Sequence, residues 1–224
     1  MSAIRIEERA PPVPGEGIIL HDLPVARFAA ALASMGSSPG GSTAAALPAA
    51  LAAGLVAAAA RSTVACAPFS DLAFDMDAVV READGLRAEL LELVDEDVAA
   101  FEHVMAARRL PRATTEQQNL RSREIQRAYE EAVEPPLRAC QRSLRVLELA
   151  VDVAERGHPH AAADADVAVL FAAASLEAAA LTAETYLLPI ESDAFRASRT
   201  EELRAVRTQA GSASSRIAAA ITSA

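Results

Sequence analysis

Apolar residues recur with helical spacing along most of the chain, and polar clusters and turn-forming residues divide them into about six segments. Ser42 and Thr43, after a Gly-Gly pair, are expected to cap the second helix, and Thr115 with Gln118 forms a candidate capping box for the fourth. Pro135 and Pro136 are expected to bend that fourth helix. The expected helices run from Asp22 to near Gly36, 42 to about 65, 70 to 109, 115 to near 157, about 161 to 188, and over much of 201–220.

The expected organisation is an irregular N-terminal arm over residues 1–20, rich in Pro and Gly, followed by one helical domain over 21–224. The stretch from Ala44 to Ala60 carries no charge, but it is mostly Ala and contains Pro48 and Gly54. It is too weakly apolar for a membrane span, so no membrane association is expected. The pattern favours a buried central helix whose small side chains let neighbouring helices approach.

Composition supports an all-α fold. Hydrophobic residues make up 52% of the 224 residues, but aromatic residues only 4%, and there is no Trp. The apolar mass is therefore mostly Ala, Leu and Val, which favours closely packed helices over sheets. Such helices present more apolar surface than one chain of this size can cover, so a homodimer is expected.

Charge and cysteine content exclude several classes of function. The net charge of −10 argues against a nucleic-acid partner, and because every basic residue is Arg, lysine Schiff-base chemistry is excluded. Cys66 and Cys140 lie far apart without CxxC spacing, so no metal site or disulfide framework is expected. The first residues do not resemble a signal peptide, and a cytoplasmic location is expected.

The segment "ELLELVDEDVAAFEHVM" contains the most informative carboxylate. On a helix, Asp97 falls inside the apolar stripe formed by Leu90, Leu93 and Phe101, whereas Asp95 lies about 160° away from Asp97. A carboxylate at an apolar position costs several kcal/mol unless it is paired, hydrogen-bonded or facing a cavity. Asp97 is therefore either a structural partner of an Arg on a neighbouring helix or a desolvated acid/base with a raised pKa.

Other candidates have simpler structural explanations. Asp164 opens the fifth helix, where a carboxylate commonly acts as a cap. His158 and His160 flank a proline, but no third ligand accompanies them. Glu177 shares a helical line with Asp166 and Glu184, which is typical of a solvated face, and His21 and His103 are expected to stand alone without a chemical role.

Four segments resemble, in order and spacing, the formiminotransferase-cyclodeaminase C-terminal family, also called the cyclodeaminase/cyclohydrolase family. They are "SPGGSTAAALPAAL", "LVDEDVAAFEHVM", "LPRATTEQQNLRSREIQRAYEEAVEPPL" and "GHPHAAADADVAVL", within a resemblance that covers about residues 21–215. The resemblance implies an all-α homodimer that deaminates formimino-tetrahydrofolate or hydrolyses methenyl-tetrahydrofolate.

The resemblance also assigns candidate residues. It places Asp95, Asp97 and Asp164 as the catalytic carboxylates, and no metal or redox cofactor is required, because opening a methenyl bridge needs only water and a transferred proton. A small-molecule substrate is the expected partner, with a tetrahydrofolate derivative as the candidate. The substrate-binding candidates are Pro39, Gly40, Gly41, Ser42, Thr43, Arg61, His158 and Glu177.

The chain departs from the family pattern where the substrate should be held. Arg61 replaces an Asn, the Lys-rich run is missing, Ser42 replaces a third glycine, and His158, Thr182 and Tyr186 stand where asparagines are expected. Three hypotheses therefore remain: a one-carbon folate cyclohydrolase or cyclodeaminase, an enzyme of the same fold acting as a cyclase, deaminase or dehydratase on another small molecule, and a non-catalytic dimeric binding protein.

Overall fold

The structure is a computed structural model that describes residues 19–33 and 40–222, with side chains up to residue 213. Within these residues it is all-helical and contains no strand, which confirms the expected fold class. Short 3-10 turns lie at Leu20–Asp22, Ala67–Leu72 and Pro159–Ala161. The α-helices are α1 (Val25–Leu32), α2 (Gly41–Ala44), α3 (Leu47–Val64), α4 (Ala73–Arg109), α5 (Thr115–Ala132), α6 (Glu134–Arg156), α7 (Ala162–Leu187) and α8 (Asp193–Thr222).

Helix α3 is the centre of the bundle and packs against α4, α6 and α7. Its alanines make this possible, because side chains of one carbon let helix axes approach closely. Ala49, Ala52, Ala53 and Ala57 are fully buried, as is Val56. The expected buried central helix is therefore present. Its packing against α4 and α7 fixes the position of its own N-terminal end.

Two segments, Gly41–Val64 and Pro159–Leu187, are long and apolar enough to span a membrane by length and composition. In the first segment 61% of the most apolar stretch is buried inside the bundle. The core packing of α3 therefore accounts for the apolar character of this segment. In the second the buried share is 44%, which leaves an apolar face of α7 exposed.

Several expected helix boundaries are wrong by a few residues or more. Gly40, rather than Ser42 or Thr43, is the N-cap of α2, and Thr114 with Gln117, rather than Thr115 with Gln118, forms the capping box of α5. The first α-helix starts after Pro24, because Asp22 belongs to a 3-10 turn. The last helix begins at Asp193, well before 201.

At the expected bend before Pro135 and Pro136, α5 ends and α6 begins at the single residue Val133, whose backbone stays in the right-handed helical region. The two prolines occupy the first turn of α6, where a missing N–H costs no intrahelical hydrogen bond. The sequence signal was therefore located correctly, but it marks a helix start.

Gly157 ends α6 at a point of very close approach. A Cβ atom added there would lie 2.5 Å from the Val153 carbonyl oxygen and 3.1 Å from Thr63 Oγ1. Gly157→Ala is therefore expected to lower the free energy of unfolding by about 1–3 kcal/mol, as other overpacking substitutions do. Urea unfolding followed by circular dichroism measures the change.

Gly85 is the matched control, because it lies in the interior of α4 and an added Cβ would meet no atom within 4 Å. Gly85→Ala should raise the free energy of unfolding by up to about 1 kcal/mol, the helix preference of Ala over Gly. Equal effects of the two substitutions would contradict the packing explanation for Gly157.

Candidate functional site

A cavity of about 420 Å³ lies where α2 meets the middle of α4 and the C-terminal half of α7. The short α2 segment forms its floor, and the side chain of Phe101 forms one wall. This volume falls in the range of small-molecule sites, and the surface is mostly apolar with a few hydroxyl groups. Its lining consists of Gly40, Gly41, Ser42, Thr43, Phe101, Ala178, Leu181, Thr182, Thr185 and Tyr186.

The predicted Gly-rich loop borders this cavity through Gly40, Gly41, Ser42 and Thr43, whereas Pro39 lies outside the described residues. With Gly40 as N-cap, the chain turns directly into α2. The turn places the side chains of Ser42 and Thr43 against α4. The loop thus supplies two hydroxyl groups as well as backbone to the site.

Asp97 is the buried carboxylate that the helical pattern indicated, with only 4% of its surface exposed. Thr43 Oγ1 donates a hydrogen bond to Asp97 Oδ2 over 2.9 Å. Asp97 Oδ1 is buried and has no hydrogen-bond partner among the described residues. The partner of Asp97 is therefore a threonine hydroxyl, not the Arg that the structural interpretation required.

Burial raises the pKa of Asp97, and the hydroxyls of Ser42 and Thr43 offset part of this rise by stabilising the ionised form. Among the described residues that line the cavity there is no Arg whose charge would favour the ionised form of Asp97. A carboxyl group in this environment can exchange a proton closer to neutral pH than an exposed Asp can.

Tyr186 belongs to the site, although the sequence marked it only as a replacement for an expected asparagine and not as a candidate site residue. It is largely buried, lines the cavity, and interacts through its phenol with Ser42, and burial raises its pKa to about 12. Its ring also packs at a tilt against Tyr129 of α5, with 6.5 Å between centroids. Helical spacing could have linked it to Thr182, but no sequence signal showed that this face of α7 meets α2.

Asp95 lies away from the cavity lining and binds the N-terminal turn instead. Its Oδ1 accepts a hydrogen bond from the Leu20 N–H over 2.7 Å, and its Oδ2 pairs with Nδ1 of His21. The expectation that His21 stands alone is therefore wrong. The contact joins residues 74 and 75 positions apart in the chain, which no local pattern reveals.

Three further candidates lie far from the cavity along α3 and α7. Asp164 is exposed in the first turn of α7, about 21 Å from Ala178 at 1.5 Å per residue. Arg61, near the end of α3, is paired with Asp84. The backbone N–H of His158 donates to Thr63 Oγ1 over 2.9 Å. Within one chain Asp164 and Arg61 therefore lie at the ends of α7 and α3 that are remote from the cavity, and His158 is bonded to that end of α3.

Glu177 points towards α8 and accepts a hydrogen bond from Arg207 Nε over 2.9 Å. The same Arg also pairs with Glu184, so the two glutamates link α7 to α8. Neither glutamate belongs to the cavity lining. Among the described residues, no group of three or more His, Cys, Asp or Glu is placed to hold a metal ion.

The formiminotransferase-cyclodeaminase family matches residues 24–205, most of the chain. The methenyltetrahydrofolate cyclohydrolase of Methylorubrum extorquens is 35% identical over 190 residues, which cover 85% of this chain and 91% of that protein.

A crystal structure of formiminotetrahydrofolate cyclodeaminase from Thermotoga maritima has the same fold, with a TM-score of 0.80 and 23% sequence identity. The similarity covers 88% of this chain and 95% of that chain.

Proposed function

Because the chain belongs to the formiminotransferase-cyclodeaminase family, we propose that it is a one-carbon folate enzyme, a methenyltetrahydrofolate cyclohydrolase or formiminotetrahydrofolate cyclodeaminase. The observation that carries the proposal is Asp97, a buried carboxyl group held by Thr43 directly behind a small-molecule cavity. The similarity to a methenyltetrahydrofolate cyclohydrolase spans this region of the chain.

The reaction suits such a site. The methenyl bridge is a cationic carbon between two nitrogens, and hydrolysis adds water to that carbon and moves a proton from oxygen to nitrogen. Asp97 would hold the proton between these steps. Since the described part of the lining contains no cationic side chain, an ionised Asp97 would also favour a cationic substrate electrostatically.

The walls fit a flat ring system with polar edges. Phe101, Leu181 and Ala178 provide apolar surface, and Thr182 lies beside them. The hydroxyls of Thr182 and Thr185 donate to the carbonyls one turn earlier in α7, at 3.0 and 2.9 Å, so at the cavity their oxygens act as acceptors. An N–H-bearing ring edge is the partner that such oxygens would bind.

The activity is tested with 5,10-methenyltetrahydrofolate, whose near-ultraviolet absorbance is lost on hydrolysis. We expect absorbance loss at a rate proportional to enzyme concentration, above the uncatalysed rate. Ammonia release from formiminotetrahydrofolate, measured in parallel, distinguishes a cyclodeaminase from a cyclohydrolase. Failure of both assays would leave the hypotheses of another substrate or of a non-catalytic binding protein.

We also propose that the chain forms a homodimer through α7. Six exposed residues of this helix and Leu188, its C-cap, follow alternating spacings of four and three, the 3.5-residue period of paired helices. We call this set the α7 seam; it consists of Val167, Phe171, Ala174, Ala178, Leu181, Thr185 and Leu188. Three of its members also line the cavity. A second copy seated on the seam would therefore close the open side of the site.

A further inference from the structure

Asp97 lies behind the cavity wall. The residues that line the cavity do not include it, and its Oδ1 has less than 1 Å² of exposed surface. Side chains that belong to the lining separate it from the space where a substrate would bind. If Asp97 exchanges protons with a substrate, it must do so through these intervening groups.

Three hydroxyl-bearing residues that line the cavity, Ser42, Thr43 and Tyr186, lie near the carboxyl group. The Thr43 hydroxyl already donates its proton in a hydrogen bond of 2.9 Å to Asp97 Oδ2, so this hydroxyl has no second proton to donate. Hydrogen bonding by the Ser42 hydroxyl offsets part of the rise in pKa of both the Asp97 carboxyl and the Tyr186 phenol. Ser42 directly precedes Thr43, which holds Asp97, and it lines the same cavity as Tyr186, so its hydroxyl lies near both groups.

We propose that Tyr186 and Ser42 form a hydroxyl relay that carries protons between a substrate in the cavity and Asp97. This inference rests on the proposed function and adds two catalytic residues to it. A hydroxyl donates one hydrogen bond and accepts others, so a chain of two hydroxyls can pass a proton in either direction without a net change in either group.

As a water oxygen bonds to the methenyl carbon, a water proton moves to the Tyr186 oxygen, the phenol proton moves to Ser42 Oγ, and the Ser42 proton moves to the Asp97 carboxylate. The C=N π electrons become a nitrogen lone pair. In the second step the proton returns by the same route to one nitrogen as its C–N bond breaks, and the hydroxyl proton leaves as C=O forms. The products are an amine, a formamide and one proton.

Tyr186 suits this role because burial raises the pKa of its phenol to about 12, so the group stays protonated at the working pH. The groups that face Asp97 are the Ser42 and Thr43 hydroxyls of α2 and the Tyr186 phenol of α7. A neutral relay adds no second charge to this buried region, which an ionised base would do at considerable cost.

The relay is tested with Tyr186→Phe and Ser42→Ala. For each variant kcat and KM are measured with 5,10-methenyltetrahydrofolate in H2O and in D2O. We expect kcat to fall by about 10–10²-fold with little change in KM, part of the effect of general acid–base catalysis. We also expect the solvent isotope effect on kcat to change, which loss of packing alone would not produce.

Tyr129→Phe is the matched control. Tyr129 packs against the Tyr186 ring but does not line the cavity. The Tyr129→Phe variant therefore loses a phenolic hydroxyl from the same neighbourhood. It should keep the parent kcat and isotope effect.

A Tyr186→Phe enzyme with raised KM, parent kcat and parent isotope effect would overturn the relay and make Tyr186 a binding residue. If Tyr186→Phe fails to fold, a Ser42→Ala enzyme with the parent kcat and isotope effect overturns it equally. Absence of turnover in the parent chain would instead contradict the proposed function itself, so the two failures are distinguishable.

Discussion

Asp97→Asn is expected to lower turnover of the folate substrate by roughly 10²–10⁴-fold, the usual contribution of a group that transfers a proton in the transition state. Asn keeps the shape of the side chain and can still accept the Thr43 hydrogen bond of 2.9 Å through its carbonyl oxygen. It cannot carry a titrating proton. Steady-state rates with 5,10-methenyltetrahydrofolate measure the loss, and circular dichroism verifies that the fold is kept.

The stability of the same variant should depend on pH in a defined direction. Because burial raises the pKa of Asp97 in the folded chain, ionisation of this group opposes folding. The neutral carboxyl group of Asp97 is the form that favours folding. Its contribution to the free energy of unfolding is fully present below the pKa of the unfolded chain and is lost as pH rises through the pKa of the folded chain. Asn does not titrate, so the Tm of Asp97→Asn relative to the parent should increase from acid to neutral pH.

Asp95→Asn serves as the comparison, because Asp95 lies two residues away and binds the N-terminal turn. It should reduce turnover much less than Asp97→Asn does. An Asp97→Asn protein that melts early but turns over substrate at the parent rate would assign Asp97 to the scaffold. A Tm difference that does not vary with pH would contradict the raised pKa.

The sequence predicted those parts of the site that depend on local periodicity. The position of Asp97 inside an apolar stripe of a long helix required its burial, and the structure confirms that burial. The glycine pair before an Ala-rich helix likewise predicted a loop that could border a cavity, and Gly40 and Gly41 do so.

Residues that meet across the bundle could not be predicted in the same way. Tyr186 and Ser42 are brought together only by the packing of α7 against α2, and Asp95 meets His21 only because the N-terminal turn crosses α4. Asp164 shows the opposite case. It shares helix α7 with residues that line the cavity, but it lies several turns away from them along the helix axis. A shared helix therefore does not by itself bring two residues into one site, because each residue adds about 1.5 Å along the axis.

The chain is expected to behave as a dimer of about twice 23.4 kDa, and Phe171→Glu is expected to convert it to the monomer. Phe171 is 39% exposed at the α7 seam, so a second copy would bury the rest of its ring. Loss of a buried Phe costs about 1.5–3 kcal/mol, and two-fold symmetry doubles the loss. The dimer affinity should therefore fall by about 10²–10⁴-fold or more, which light scattering across a dilution series measures.

Phe74→Glu is the matched control, because Phe74 is 82% exposed on α4 and does not belong to the seam. It should leave the dimer intact. A parent chain found only at 23.4 kDa would contradict dimerisation altogether, and dissociation by both substitutions would contradict the location. Since Ala178, Leu181 and Thr185 belong to both the seam and the cavity lining, the Phe171→Glu monomer should keep its helical circular dichroism but lose turnover. A monomer with the parent rate would show that each cavity is complete within its own chain.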